Sequence, residues 1–248
     1  MASSIGPSHL QELGHRLADF CKRYAIPVEH FFDIINDQKV LPMLRGKGME
    51  YNALSAVRET LNPNEWLVEK LNVNAQPGIL DQDIGVTHKR TAIRLIVESK
   101  SAVRGSMKSG ARARTHQVPH FNVKCHRSRS NVRLAETTND KYPVDSFDIL
   151  ITNPSNALYA GNTIGPDFEL IRDPDLHDIL YRHYHVSNGQ ELVEASLKDW
   201  RFVFPINIAV DGFIPRTPAV LLVDDPQWLP LGQLGDRLLE LLRQRRGR

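Results

Sequence analysis

Apolar positions along the chain fall into two rhythms. Between Ser8 and about Ile35, Leu10, Leu13, Leu17 and Phe20 recur at three- and four-residue spacing, which predicts a helix with Ser8 as its candidate cap. A second helix is predicted from Gly48 to Leu61; it carries Glu50 and stops at Asn62-Pro63, because the residue before a proline is driven out of the α region. The period then shortens to two. Asp83-Ile84-Gly85-Val86 starts a strand, the polar His88-Lys89-Arg90 makes a turn, and Ala92 to Val97 is a run suited to a buried strand that ends in Glu98-Ser99-Lys100.

The remaining patterns complete an α/β protein. His120 to Arg127 alternates like a strand, Phe147 to Ile151 reads as a central strand, and Asp173-Pro174 opens a helix reaching Tyr184. Arg201 to Ile208 and Ala219 to Val223 are predicted strands separated by a turn at Asp211-Gly212, the first an edge or bulged strand because of Pro205. Leu231 to Arg246 is an amphipathic helix with Leu234, Leu238, Leu241 and Leu242 as its stripe, able to pack on the core or on a second subunit. The expected fold is a central mixed β-sheet flanked by helices. His177, His183 and His185 do not share a helical face, which gives them a structural role.

Composition narrows the setting. A chain of 248 residues can bury a sizeable core as one domain, with two small lobes as the alternative, and no apolar run approaches the roughly 20 residues needed to span a bilayer. The segment from Met1 to Ser8 has no charged-then-apolar leader pattern, so a cytoplasmic protein is expected. Cys21 and Cys125 are the two cysteines, and without CxxC spacing they exclude a zinc ribbon or a disulfide scaffold.

The net charge is +2, yet the charge is unevenly spread. No acid occurs between Lys100 and Glu136, whereas Arg104, Lys108, Arg112, Arg114, Lys124, Arg127, Arg129 and Arg133 all do. Interleaved with Gly105, Ser106, Ser109, Gly110 and Ser128, this block fits a phosphate-contacting surface, the plainer alternative being a solvated loop. Lys124, His126 and His120 would share one face of a regular strand, where they could position a phosphate or simply form a polar face.

Chemistry concentrates where the acids meet the strands. Residues i and i+2 of a strand share a face, so Glu98 and Lys100 point the same way, and a hairpin would lay Asp83 near them. Two carboxylates with an adjacent ammonium suit a hard cation such as Mg²⁺, which takes oxygen ligands and keeps several waters. In this order and spacing the chain resembles the PD-(D/E)XK nuclease superfamily, the fold of many Type II restriction endonucleases, over roughly Leu44 to Lys100 and more loosely to about Asn153.

The resemblance implies an acid at the start of one strand, then a second acid, any residue and a lysine on the next. Asp83, Glu98 and Lys100 match those positions. Glu50, in Gly46-Lys47-Gly48-Met49-Glu50, matches the glutamate that many members carry on a preceding helix. The family's Pro-Asp pair is absent: Gln82 precedes Asp83, the nearest upstream proline is Pro77, and Asp81 is a rival for the first position.

The same resemblance implies a single catalytic domain over 1–248, with an N-terminal helical segment at about 8–61 and a nuclease core at about 44–225. Its expected activity is Mg²⁺-dependent cleavage of double-stranded DNA, with Asp83, Glu98 and Glu50 as metal ligands and Lys100 acting on the attacking water. A site-specific homodimer is the leading form; a repair or structure-specific nuclease and a non-cleaving nucleic-acid-binding protein are the alternatives. No helix-turn-helix or zinc finger is evident, so bases would be read by the basic block or by Ser155 to Tyr159.

Overall fold

The computed structural model describes residues 6–73, 82–109, 118–126, 140–161 and 169–246. They belong to two compact units, a smaller one ending at Arg45 and a larger one beginning at Gly46.

In the smaller unit, α1 (Pro7–Arg23) starts two residues earlier than the Ser8 cap predicts, because Gly6 takes the capping position and Pro7 the first helical one. The predicted helix to Ile35 breaks after Arg23. A turn containing Ala25 at φ 53° leads to a 3₁₀ turn (Val28–His30) and the short α2 (Phe31–Ile35). The expected apolar stripe does not form a core: Leu10, Leu13 and Phe20 are exposed, and Cys21 is the buried residue of α1.

α3 (Val40–Thr60) is longer than the predicted helix and carries Glu50 into the larger unit. There a six-stranded sheet is built from β1 (Trp66–Val73), β2 (Gln82–His88), β3 (Arg94–Ser99), β5 (Ile149–Thr152), β6 (Arg201–Val203) and β8 (Leu229–Pro230), in that spatial order. Neighbours run antiparallel except β3 and β5, which are parallel, with Glu98 beside Leu150. β4 (His120–Asn122) and β7 (Ala219–Leu221) form a separate antiparallel pair.

Strand alternation divides the apolar side chains between two cores. On one face Ile84, Val86, Leu95, Val97, Ile149, Ile151 and Phe202 meet Ala53, Leu54 and Val57 of α3, and also Leu234, Leu238 and Leu242 of the last helix (Leu234–Arg246). On the other, Leu150 and Val203 meet the small β4–β7 sheet through Phe121 and Val220. Leu176 and Leu180 of α4 (Pro174–Tyr184) and Leu192 of α5 (Gly189–Lys198) close that side. Asp173 caps α4 by accepting from Leu176 N at 3.3 Å, as the Asp-Pro pair predicts.

Three readings of the pattern are corrected. The segment Arg201 to Ile208 is not one strand: β6 ends at Val203, and Pro205 opens the single-turn helix α6 (Pro205–Ile208). Proline's fixed φ and missing N–H suit a first helical turn better than a ladder. The segment His120 to Arg127 is regular only to Asn122, and an isolated bridge at Val123 and another at His126 continue it. Its expected common face is not formed, since His120 is buried and Lys124 exposed.

The last helix, α7, is held by leucines spaced three to four apart. Leu238 is fully buried, so Leu238→Ala is expected to lower unfolding free energy by about 2–5 kcal/mol, measured by urea titration. A loss under about 1 kcal/mol would mean that the helix is not part of the core.

Candidate active site

The spacing Glu50, Ala53, Leu54, Val57 places the glutamate on the stripe of α3 that faces the sheet. On the sheet side Trp66, Val68 and Lys70 share one face of β1, so Lys70 points toward the same helix. The Lys70 ammonium lies 2.8 Å from Glu50 Oε2 and 3.8 Å from Asp83 Oδ1. It also donates to the carbonyl oxygens of Asp83 at 3.0 Å and Leu71 at 3.3 Å. Lys47, one turn before Glu50 and largely exposed, donates to both carboxylate oxygens of Glu50 at 2.8 Å.

Asp83 sits near the start of β2, where Ile84 pairs with Val97. Continuing that register by one residue sets Asp83 across from Glu98. Its Oδ2 accepts two hydrogen bonds of 2.9 Å from Ser99, one from the backbone N–H and one from the hydroxyl. Asp83 is nevertheless hard to ionise. Burial raises its carboxyl above the usual value, Lys100 works against that rise, and the neighbouring charge of Glu50 adds to it.

Glu98 is 1 % exposed and Lys100 donates to its Oε1 at 2.5 Å, so the two do share a face. The Lys100 ammonium also stands 5.0 Å from the centre of the Tyr142 ring. Burial would lower this lysine, but Glu98, followed by Tyr142 and Asp83, outweighs it and holds the ammonium well above its ordinary value. Lys100 is therefore protonated at neutral pH. It can stabilise negative charge or orient a water, but it cannot take a proton from one.

The five charged groups form one alternating network: Glu50 and Asp83 converge on Lys70, Asp83 feels Lys100, and Lys100 holds Glu98. Among the described residues, no three His, Cys, Asp or Glu side chains converge on one point that could hold a metal ion. The Lys70 ammonium marks where a cation does fit, with two carboxylates and two carbonyl oxygens around it. An all-oxygen set with one or two carboxylates is what Mg²⁺ uses when a substrate phosphate and waters complete its shell.

Lys70 is a site residue that the motif does not point to. Its signal lies in parity: a lysine two residues beyond Val68 and four beyond Trp66 falls on the core-facing side of a strand and needs an anionic partner there. Ser99 belongs by parity to the opposite face from Glu98, yet its N–H and hydroxyl reach Asp83 across the strand ends. Asp81, the rival acid, lies outside the described residues.

Of the candidate nucleic-acid contacts, Arg112, Arg114, Arg127 and Arg129 lie outside the described residues. Arg104 and His126 are half-buried, and Lys108 and Lys124 are exposed. Burial and then Lys124 lower the His126 imidazole, so it is neutral at pH 7 and brings hydrogen bonding but no charge. Cys125 is no nucleophile, because burial, with Glu98 adding and Lys100 opposing, pushes its thiol up to about 12. Ser155, Ala157 and Leu158 are buried in a 3₁₀ turn, and Asn156 donates to the Ala102 carbonyl at 2.5 Å, so this segment is turned inward.

An open cavity of about 540 Å³ beside α3, lined by Asn52, Ser55, Glu59, Asp199 and Trp200 among others, contains none of the network residues. Among the described residues no helix is long and apolar enough to cross a membrane. Compared with family models, with curated proteins and with solved structures, the chain gives no match.

The raised carboxyl of Asp83 has a direct sign. A group that holds its proton more tightly when folded than when unfolded adds stability at acid pH and loses it as pH rises through the folded value. Asp83→Asn keeps an acceptor oxygen for Ser99 without the charge. In EDTA it is expected to melt at or above the wild-type temperature, with a larger advantage at pH 7 than at pH 5. A lower melting temperature at pH 7 would mean that the ionised carboxylate is net stabilising.

Proposed function

We propose that the protein is a Mg²⁺-dependent DNA endonuclease of the restriction-endonuclease-like fold, cutting double-stranded DNA as a homodimer. The observation that carries this reading is the convergence of Glu50 from a helix and Asp83 from a strand on one cation position, beside a buried Glu98–Lys100 pair on the adjacent strand. These are the residues that match the nuclease motif. Glu50 and Asp83, which converge on the Lys70 ammonium, would hold the metal, with Glu98 the further ligand that the motif implies; when bound, the metal offsets phosphoryl charge and acidifies water.

Each residue then has a part set by its surroundings. Lys100, permanently protonated, presents a fixed positive charge to the phosphoryl oxygens as charge develops, without needing to reorganise. Glu98 fixes that ammonium in place, and Ser99 fixes the orientation of Asp83. The basic block that succeeds β3 supplies phosphate contacts that hold the duplex and add little to the chemical step.

The deciding experiment incubates purified protein with mixed-sequence duplex DNA, with and without Mg²⁺, and maps the ends. Discrete Mg²⁺-dependent fragments are expected. No cleavage under any divalent ion would leave a nucleic-acid-binding protein.

Two variants separate chemistry from binding. Lys100→Ala is expected to lower turnover by about 10²–10³-fold while DNA affinity stays near wild type, because the interaction is made mainly in the transition state. Cleavage at a near-normal rate would remove Lys100 from the mechanism.

Replacing Arg112 and Arg114 by alanine is expected to do the reverse. Each lost phosphate contact should reduce the slope of log affinity against log salt by about 0.9, as read from binding titrations. An unchanged slope would mean that the two arginines are only solvated.

A further inference from the structure

We propose that Lys70 is a resident cation of the active site, one that fills the Glu50–Asp83 oxygen cage in the metal-free protein and withdraws when a divalent ion binds. The inference rests on the metal-dependent activity proposed for this site and adds to it a residue that the nuclease motif does not contain.

The geometry gives the first reason. The ammonium is surrounded by oxygens: Glu50 Oε2 at 2.8 Å, the Asp83 carbonyl at 3.0 Å, the Leu71 carbonyl at 3.3 Å and Asp83 Oδ1 at 3.8 Å. A divalent ion would draw such oxygens in to about 2.0–2.6 Å. Ion and ammonium cannot both use them, since each would bring positive charge to the same point.

Charge balance gives the second. With Asp83 ionised, the three carboxylates of Glu50, Asp83 and Glu98 face two largely buried lysines, Lys70 and Lys100, which leaves one negative charge in excess within the buried group. Lys47 meets Glu50 from the solvent side, where water screens its charge. With Lys70 out and a dication in, the buried group is neutral. The exchange therefore favours a 2+ ion over a 1+ ion, which would only replace one unit charge by another.

Mobility gives the third. Lys70 is the last regular pair of β1 with β2 before the register shifts on the way to Val73. Its side chain is 11 % exposed, so the ammonium is sheltered without being sealed, and it is carried on a flexible four-carbon stem. The lysine would lower apparent metal affinity by the free energy of its own contacts, as any competing occupant does.

The test uses Mn²⁺ as the probe on the full chain without DNA. Calorimetric titration of wild type and Lys70→Met is expected to show binding about tenfold tighter or more in the variant, including the case in which only the variant binds. In parallel, wild-type protein is acetylated briefly with an N-hydroxysuccinimide ester, with and without saturating Mn²⁺, and Lys70 modification is quantified by peptide mass spectrometry. It is expected to rise several-fold with the ion. Equal or weaker binding by Lys70→Met overturns the proposal. So does tighter binding with unchanged acetylation, because Lys70 would then oppose the ion only by its charge. If neither protein binds Mn²⁺, the metal-dependent activity itself fails and takes this inference with it. Should Lys70→Met not fold, the acetylation result on wild type decides.

Discussion

Hiding carboxylates at the ends of central strands is the constraint around which the larger unit is organised. Asp83 is 6 % exposed and Glu98 1 %, and isolated ionised groups at such depth would cost several kcal/mol each. The compensation is local. Lys100 lies two residues beyond Glu98 on the same face, and Lys70 reaches Asp83 from the neighbouring strand. The order β1-β2-β3 is thus an electrostatic requirement as well as a matter of packing, since a different neighbour for β2 would leave Asp83 facing Glu50 without an intervening cation.

The same network limits what its members can do chemically. Glu98 holds Lys100 protonated, which removes it from proton transfer and leaves it as a fixed charge. Asp83 is pulled in two directions, toward neutrality by burial and Glu50 and toward ionisation by Lys100 and the Ser99 donors. A group so poised is sensitive to any positive charge added beside it.

Much of this is legible in the amino-acid pattern because it is local. The i, i+2 parity of Glu98 and Lys100, the hairpin that returns β3 along β2, and the Asp173-Pro174 cap all depend on neighbouring residues. The parts that are not legible depend on partners distant in sequence. Lys70 gains its role from α3 and β2, and the strand containing it, though alternating from Trp66, does not stand out in the pattern; nor does α5, whose cap is Asn188. Periodicity also misleads where it outlasts the element. Phe202, Phe204 and Ile206 keep the rhythm of a strand past Val203, but the proline between them starts a helix. The leucine stripe of α1 has helical spacing without a core to receive it, for spacing specifies a conformation and not what it packs on.

The parallel pairing of β3 with β5 has a consequence for the course of the chain. Two parallel neighbours cannot be joined by a tight turn, so the chain must leave the sheet after Ser99 and return at Ile149 by a long crossover. That detour contains the whole acid-free basic segment, and it departs from the very strand end that bears Glu98 and Lys100. Because the entropy of closing a loop grows only slowly with its length, the crossover can be long at small closure cost, and it is anchored along the way by Phe121, Val123, Tyr142 and Phe147, which it buries beside Leu150 and Val203. The same crossover thus fixes one side of the core, so changes to its buried positions would be felt at the strand ends where the acids and lysines sit.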